Sequence, residues 1–319
     1  MDRAHYIQLI QTKLNEAVEE SLAITGGEPA NYIPELANSD ANVVGAAVHL
    51  SDGTEIVAGE TSTEFTLQSV AKLIVLIGLM EEYGEEKIFS WISAEPTGFS
   101  FSSIAQVDRY GPIPSNPMVN AGAMALCSHI PGDTQSRALW LDQWTERLFG
   151  QSLMVNGKVF ASERATGDRN RAIAYLLKSS KVITLSVDET LETYFYLCSY
   201  QANVKIASYL PNLLANGGVA PNGQRIISER TSNCVVSIMA TCGLYDESGM
   251  HLVRTGMPAK SGVSGLMIAV ATGRGGIAAF SPPLNKKGGS VRGHYILSKM
   301  SRDLDWHFAA PWGYLRFDD

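Results

Sequence analysis

The chain has 319 residues, a net charge of −7, 45% hydrophobic residues and 18% charged ones, the balance of a globular protein with a core of its own and not of a disordered or fibrous chain. An acidic excess excludes a nucleic-acid binder, which needs a basic face, and the pair Lys286-Lys287 is too short to make one. The longest apolar run, residues 73–80, is far too short to span a bilayer.

The chain opens with Ile7, Ile10, Leu14, Val18 and Leu22 at helical spacing among polar residues. That pattern reads as a surface helix and not as a signal peptide. After a loop at Gly26-Gly27-Glu28-Pro29, residues 43–50 and 54–59 read as strands joined by Ser51-Asp52-Gly53, a hairpin signal. An apolar helix is expected from about Ser69 to Tyr83, stopped by Gly84. Residues 84–230 read as mostly helical, with 3.6-type periodicity at 140–149, 171–177, 191–199 and 204–214. Pro and Gly cluster in a loop at Tyr110-Gly111-Pro112-Ile113-Pro114, and Gly217-Gly218 closes a helix. Short strands are expected at 251–255, 265–270 and 276–281, with a turn at Gly273-Arg274-Gly275, followed by an amphipathic helix near 291–300.

Strands at both ends with helices between predict an α+β fold: one antiparallel sheet flanked by helices, with an inserted helical region. The expected organisation is a single catalytic domain over 1–319, its sheet part about 1–75 and 230–319 and its helical part about 76–229. The interface of the two parts is a natural place for a small-molecule cleft. The four cysteines form no C-x-x-C, and the six histidines no metal-binding motif. Buried reduced thiols, satisfied histidines and no metal are expected, in a reducing cytoplasmic setting.

Two motifs carry chemistry. In Ser69-Val70-Ala71-Lys72 the i, i+3 spacing brings a hydroxyl and an amine to one helix face. Serine is a weak nucleophile that needs an adjacent base, and lysine serves only if burial keeps part of it neutral. The apolar sequence that follows, Leu73-Ile74-Val75-Leu76-Ile77, supplies such a setting. Alone, the motif equally describes a capping serine and a solvated lysine. The second, Lys260-Ser261-Gly262-Val263, is equivalent to the K-T-G that some serine enzymes pair with S-x-x-K. Its glycine admits substrate close to backbone, and the next N–H can face an oxyanion. Taken singly it is a turn with an exposed lysine. The polar stretches 116–123 and 162–171 also stand out, the second read as opening a helix with capping and surface ion pairs.

In order, Tyr32-Ile33-Pro34-Glu35-Leu36, Gln68-Ser69-Val70-Ala71-Lys72, the stretches 116–123 and 162–170, Thr241-Cys242-Gly243-Leu244-Tyr245-Asp246, Pro258 to Val263 and Phe280-Ser281-Pro282-Pro283-Leu284 resemble the glutaminase family of serine-dependent amidohydrolases. The resemblance runs from about residue 30 to 295. It implies a β-lactamase/transpeptidase-like fold and hydrolysis of the side-chain amide of L-glutamine, with no metal or organic cofactor. It also implies Ser69 as nucleophile, Lys72 as base, and Asn120, Glu163, Asn170 and Tyr194 as holders of the substrate's amino and carboxylate groups. Tyr245 resembles a substrate contact able to pass a proton to departing ammonia, Tyr32 a further active-site tyrosine, and the Ser69 and Val263 N–H groups an oxyanion hole. Implied partners are the small-molecule substrate and copies of the same chain, a dimer or tetramer, with no nucleic acid or membrane. Two departures stand out: Val70-Ala71 replaces the commoner Ile-Ser, and Ser264 and Leu266 interrupt the usual glycines after Val263. Rival readings are a β-lactamase- or transpeptidase-like acyltransferase and an inactive glutamine-binding relative.

Overall fold

The computed structural model describes residues 2–98, 102–103 and 112–310; of the Pro/Gly loop expected at 110–114, Tyr110 and Gly111 lie outside them. Seven strands are described: β1 (Gly45–Leu50), β2 (Glu55–Gly59), β3 (Phe65–Thr66), β4 (Gln201–Ala202), β5 (Ala259–Ser261), β6 (Leu266–Ala271) and β7 (Gly275–Phe280). Five of them form one antiparallel sheet in the order β2-β1-β7-β6-β5, and β3 pairs with β4 in a small separate ribbon. The first two and last three strands of the chain thus share a sheet, as the sequence pattern implies.

The sheet is covered on both faces, because its strands alternate between two apolar cores. Leu266, Ile268 and Val270 of β6 belong to the larger core, with helices Lys72–Tyr83 and Val204–Ala215. Met267, Ala269 and Ala271 join the smaller one, with helices Arg3–Ser21 and Val291–Asp303. One glycine sets the closeness of the larger core: a Cβ on Gly276 of β7 would lie 2.1 Å from the Asn212 backbone nitrogen. Only glycine allows the Val204–Ala215 helix to approach that far.

Three local expectations are corrected. Residues 251–255 are not a strand but part of helix Ser248–Thr255; its apolar residues alternate over too few positions to separate the two periods. Ser69 does not open the helix that follows, but sits in a 3-10 turn, Gln68–Ala71, ahead of Lys72–Tyr83. Residues 162–171 do not open one helix; they span the end of Gly157–Thr166 and the start of Asp168–Ser179, which Gly167 separates. Glu163 therefore lies inside the first of these and does not precede it. All four cysteines are free, and three are buried.

Candidate active site

The 3-10 turn Gln68–Ala71 carries Ser69 to the floor of a cleft of about 1040 Å³ between the sheet's β5 end and the helical part. The turn opens on a residue in an unusual conformation. Gln68 has φ +48, a left-handed conformation rare for a residue with a side chain. Tyr245, which enters the cleft from the short turn Tyr245–Glu247, has φ +58. Such conformations persist only where surrounding structure imposes them, and they gather at functional sites.

Of the residues implied by the sequence, Tyr32, Ser69, Asn120, Glu163, Asn170, Tyr194, Tyr245 and Val263 all line this cleft. Lys72 does not; it lies beneath it, fully buried. Its Nζ donates to the Met118 carbonyl at 3.0 Å and to Asn120 Oδ1 at 2.7 Å. Burial pulls the Lys72 amine down to about 8, since a charge there has no bulk water to solvate it. Asn120 in turn donates from Nδ2 to Asn170 Oδ1 at 2.9 Å, so one amide joins the lysine to the cleft wall.

A second buried lysine stands opposite. Lys260 of β5 donates to the Tyr245 hydroxyl at 3.0 Å and to the Ser261 carbonyl at 2.8 Å. Burial, reinforced by the charge of nearby Lys72, pushes its amine well below the ordinary lysine range. Burial raises the Tyr245 phenol, while a hydrogen bond with Ser69 lowers it in part. The tyrosine hydroxyl thus sits between Lys260 and the serine.

Across the cleft, Glu163 is buried at the last turn of its helix and accepts the Tyr32 hydroxyl at 2.7 Å. Tyr32 is 44% exposed overall, yet its hydroxyl end is inside, also 3.2 Å from Gln68 Oε1. Burial raises the Glu163 carboxyl, opposed by hydrogen bonds from Tyr32 and Gln68. A desolvated carboxylate with neutral donors around it has capacity for a cation.

Sequence reasoning missed four contributors. Gln68 hydrogen-bonds Thr66 and Tyr32 and lines the cleft; its place before Ser69 was the available signal. Cys198 lines the wall beside Tyr194. Lys286 and Lys287 stand at the mouth, Lys287 paired with Asp246 at 3.0 Å. Among the described residues no group of three or more metal-ligating side chains comes together, and no helix is long and apolar enough to cross a membrane.

The glutaminase family model matches residues 27–308. A glutaminase from Legionella pneumophila is 50% identical over 300 residues, covering 93% of this chain and 97% of its own. Among solved structures, a probable glutaminase, ybaS, superposes with a TM-score of 0.93 at 32% identity, over 98% of this chain and all of the other. Mglu in its glutamate form gives 0.88 at 31% identity, over 94% of this chain and 69% of the other. The shared fold is the β-lactamase-like one.

Proposed function

The chain belongs to the glutaminase family, and we propose that it works through a Ser69 acyl-enzyme with Lys72 as general base. The enzyme hydrolyses the side-chain amide of L-glutamine to L-glutamate and ammonia. One observation carries the reading of the dyad: a fully buried lysine one helical turn from the cleft serine, its amine pulled to about 8. A neutral amine has two N–H donors and one lone pair. With both donors engaged by Met118 O and Asn120 Oδ1, the lone pair remains to take a proton.

In the proposed sequence, Lys72 accepts the Ser69 proton as Oγ attacks the γ-carbonyl carbon. The Ser69 and Val263 N–H groups face the developing oxyanion. The C–N bond breaks, the departing nitrogen takes the Tyr245 proton and leaves as ammonia, and the Lys72 ammonium reprotonates the phenolate. Water, deprotonated by Lys72, then attacks the γ-glutamyl ester; the C–O bond breaks, the Lys72 ammonium returns the proton to Ser69 Oγ, and glutamate is released. Glu163 receives the substrate's α-ammonium, helped by Tyr32, while Asn120, Asn170 and Tyr194 hold its α-carboxylate and amino groups. Ser264 and Leu266 leave this arrangement workable, since Gly262 N still pairs with the Leu266 carbonyl at 2.8 Å and Val263 still lines the cleft. A cytoplasmic homo-oligomer belongs to the same proposal, and sizing chromatography with light scattering tests its assembly.

The test is ammonia and glutamate release from L-glutamine by wild type and by Ser69→Ala. Loss of both products in a variant that keeps its circular dichroism supports the reading, and near-wild-type release overturns it. A chromogenic β-lactam in parallel tests the acyltransferase alternative.

A further inference from the structure

We infer that Lys260 is a positioning residue that turns the Tyr245 hydroxyl proton toward Ser69, so that Tyr245 serves as the proton donor to the leaving nitrogen. This inference rests on the acyl-enzyme reading above. It begins from an anomaly of burial. Lys260 has no exposed surface, and among the described residues no carboxylate lies within ion-pair reach of it. A buried amine without an acid is an expensive way to fill space, and an apolar side chain of similar shape packs there at less cost.

What the amine touches explains its presence. Its Nζ is 3.0 Å from Tyr245 Oη and 2.8 Å from the Ser261 carbonyl oxygen, and 4.3 Å from the centre of the Tyr245 ring. The lysine is itself fixed, because β5 pairs residue for residue with β6, Lys260 opposite Ile268. A carbonyl oxygen only accepts, so one N–H must go to Ser261. The second N–H is placed to donate to Tyr245 Oη, the direction in which the 3.0 Å contact is formed. The phenol's own hydrogen is then directed away from the lysine, and Ser69 lies within hydrogen-bonding reach of the phenol. Burial and the neighbouring Lys72 charge keep the Lys260 amine from holding a proton of its own tightly, which leaves it a fixed donor pair and not a competing acid.

The step balances without any proton from Lys260. The Ser69 proton moves to Lys72, the C–N bond breaks, the nitrogen leaves as ammonia with the Tyr245 proton, and Lys72 restores the phenol. Lys260 keeps both its N–H bonds throughout and supports the phenolate while it lasts. Its contribution therefore matters only when the leaving group needs a proton.

The experiment compares Lys260→Met with wild type on two substrates: L-glutamine, whose leaving nitrogen must be protonated, and a γ-glutamyl p-nitrophenyl ester, whose phenolate departs without one. The expected result is a loss of kcat on glutamine on the order of 10²-fold, a change in KM below about threefold, and a much smaller loss on the ester. In the Tyr245→Phe background, Lys260→Met should add little on glutamine, because residues acting as a unit are not additive. Equal losses on both substrates, or losses that multiply with Tyr245→Phe, overturn the inference and make Lys260 structural. If Lys260→Met does not fold, Lys260→Leu, which likewise removes the N–H donors, gives the same discrimination on the two substrates, and Tyr245→Phe alone must show the same loss confined to glutamine. Ser69→Ala separates the two proposals: if it still turns over the ester and glutamine, the acyl-enzyme reading has failed, whatever Lys260 does.

Discussion

The Tyr32 hydroxyl donates to Glu163 Oε1 at 2.7 Å, joining residues 131 positions apart in the chain. That bond holds a buried carboxylate at the cleft wall without neutralising it, since a phenol is a neutral donor. In the proposed mechanism this carboxylate receives the substrate's α-ammonium.

Glu163→Gln should consequently impair glutamine far more than glutaramate, which keeps the amide and carboxylate but lacks the amino group. Removing one member of a buried charge pair costs roughly 2–5 kcal/mol, about thirtyfold to a few thousandfold in kcat/KM. A surface ion pair would cost roughly 1 kcal/mol or less and would act on stability. Steady-state kinetics on both amides decide between them, and equal losses would place the ammonium contact elsewhere.

On the proposed mechanism the neutral Lys72 amine is the working form, so kcat/KM should rise with pH and level off above about 8. Below that value each pH unit should cost roughly tenfold. Lys72→Arg should be inactive at every pH, because guanidinium keeps its proton in proteins. A pH-independent profile, or an active arginine variant, removes lysine as the base.

Most of the sheet and the Ser69/Lys72 pairing were legible in the sequence because both depend on local pattern. Alternating apolar residues in β6 and the i, i+3 spacing of Ser69 and Lys72 need no knowledge of the rest of the chain. The Ser248–Thr255 helix was not legible, because eight residues packed against helices Glu229–Cys242 and Val291–Asp303 take their conformation from packing. Nor could sequence reveal that Lys72 bonds Asn120 and Met118, or that Lys260 meets Tyr245. These contacts join distant segments, and the left-handed φ of Gln68 and Tyr245 that aims them is an outcome of tertiary packing.

Acid stability should depend on His251. This ring is buried, with Nε2 lacking a hydrogen-bond partner among the described residues, and burial together with nearby His294 lowers its pKa to about 4. The folded ring stays neutral while the unfolded one takes a proton below about 6.5, so the unfolded state binds more protons between pH 6.5 and 4. Stability is full above 6.5 and is lost as pH falls through that window, by up to roughly 3 kcal/mol. Urea unfolding at several pH values should show a shallower dependence in His251→Leu, and an unchanged slope would contradict the assignment.

Gly243→Ala tests the link between the fold and the site. A Cβ at Gly243 would lie 1.9 Å from the Ala259 carbonyl, where the segments that deliver Tyr245 and Lys260 meet. Overpacking of this kind costs about 1–3 kcal/mol, or more where backbone must move. The urea midpoint should fall and glutamine turnover fall with it. A variant matching wild type in both would show that the close approach is not needed.

The central claim is a covalent bond between Ser69 and the substrate's γ-carbonyl carbon. Rapid acid quenching during turnover of L-glutamine, followed by peptide mass spectrometry, reads it directly. The account predicts one γ-glutamyl group on the peptide containing Ser69, located on that residue by fragmentation and absent from Ser69→Ala. A γ-glutamyl group found on another residue, or still present in an active Ser69→Ala enzyme, would contradict it.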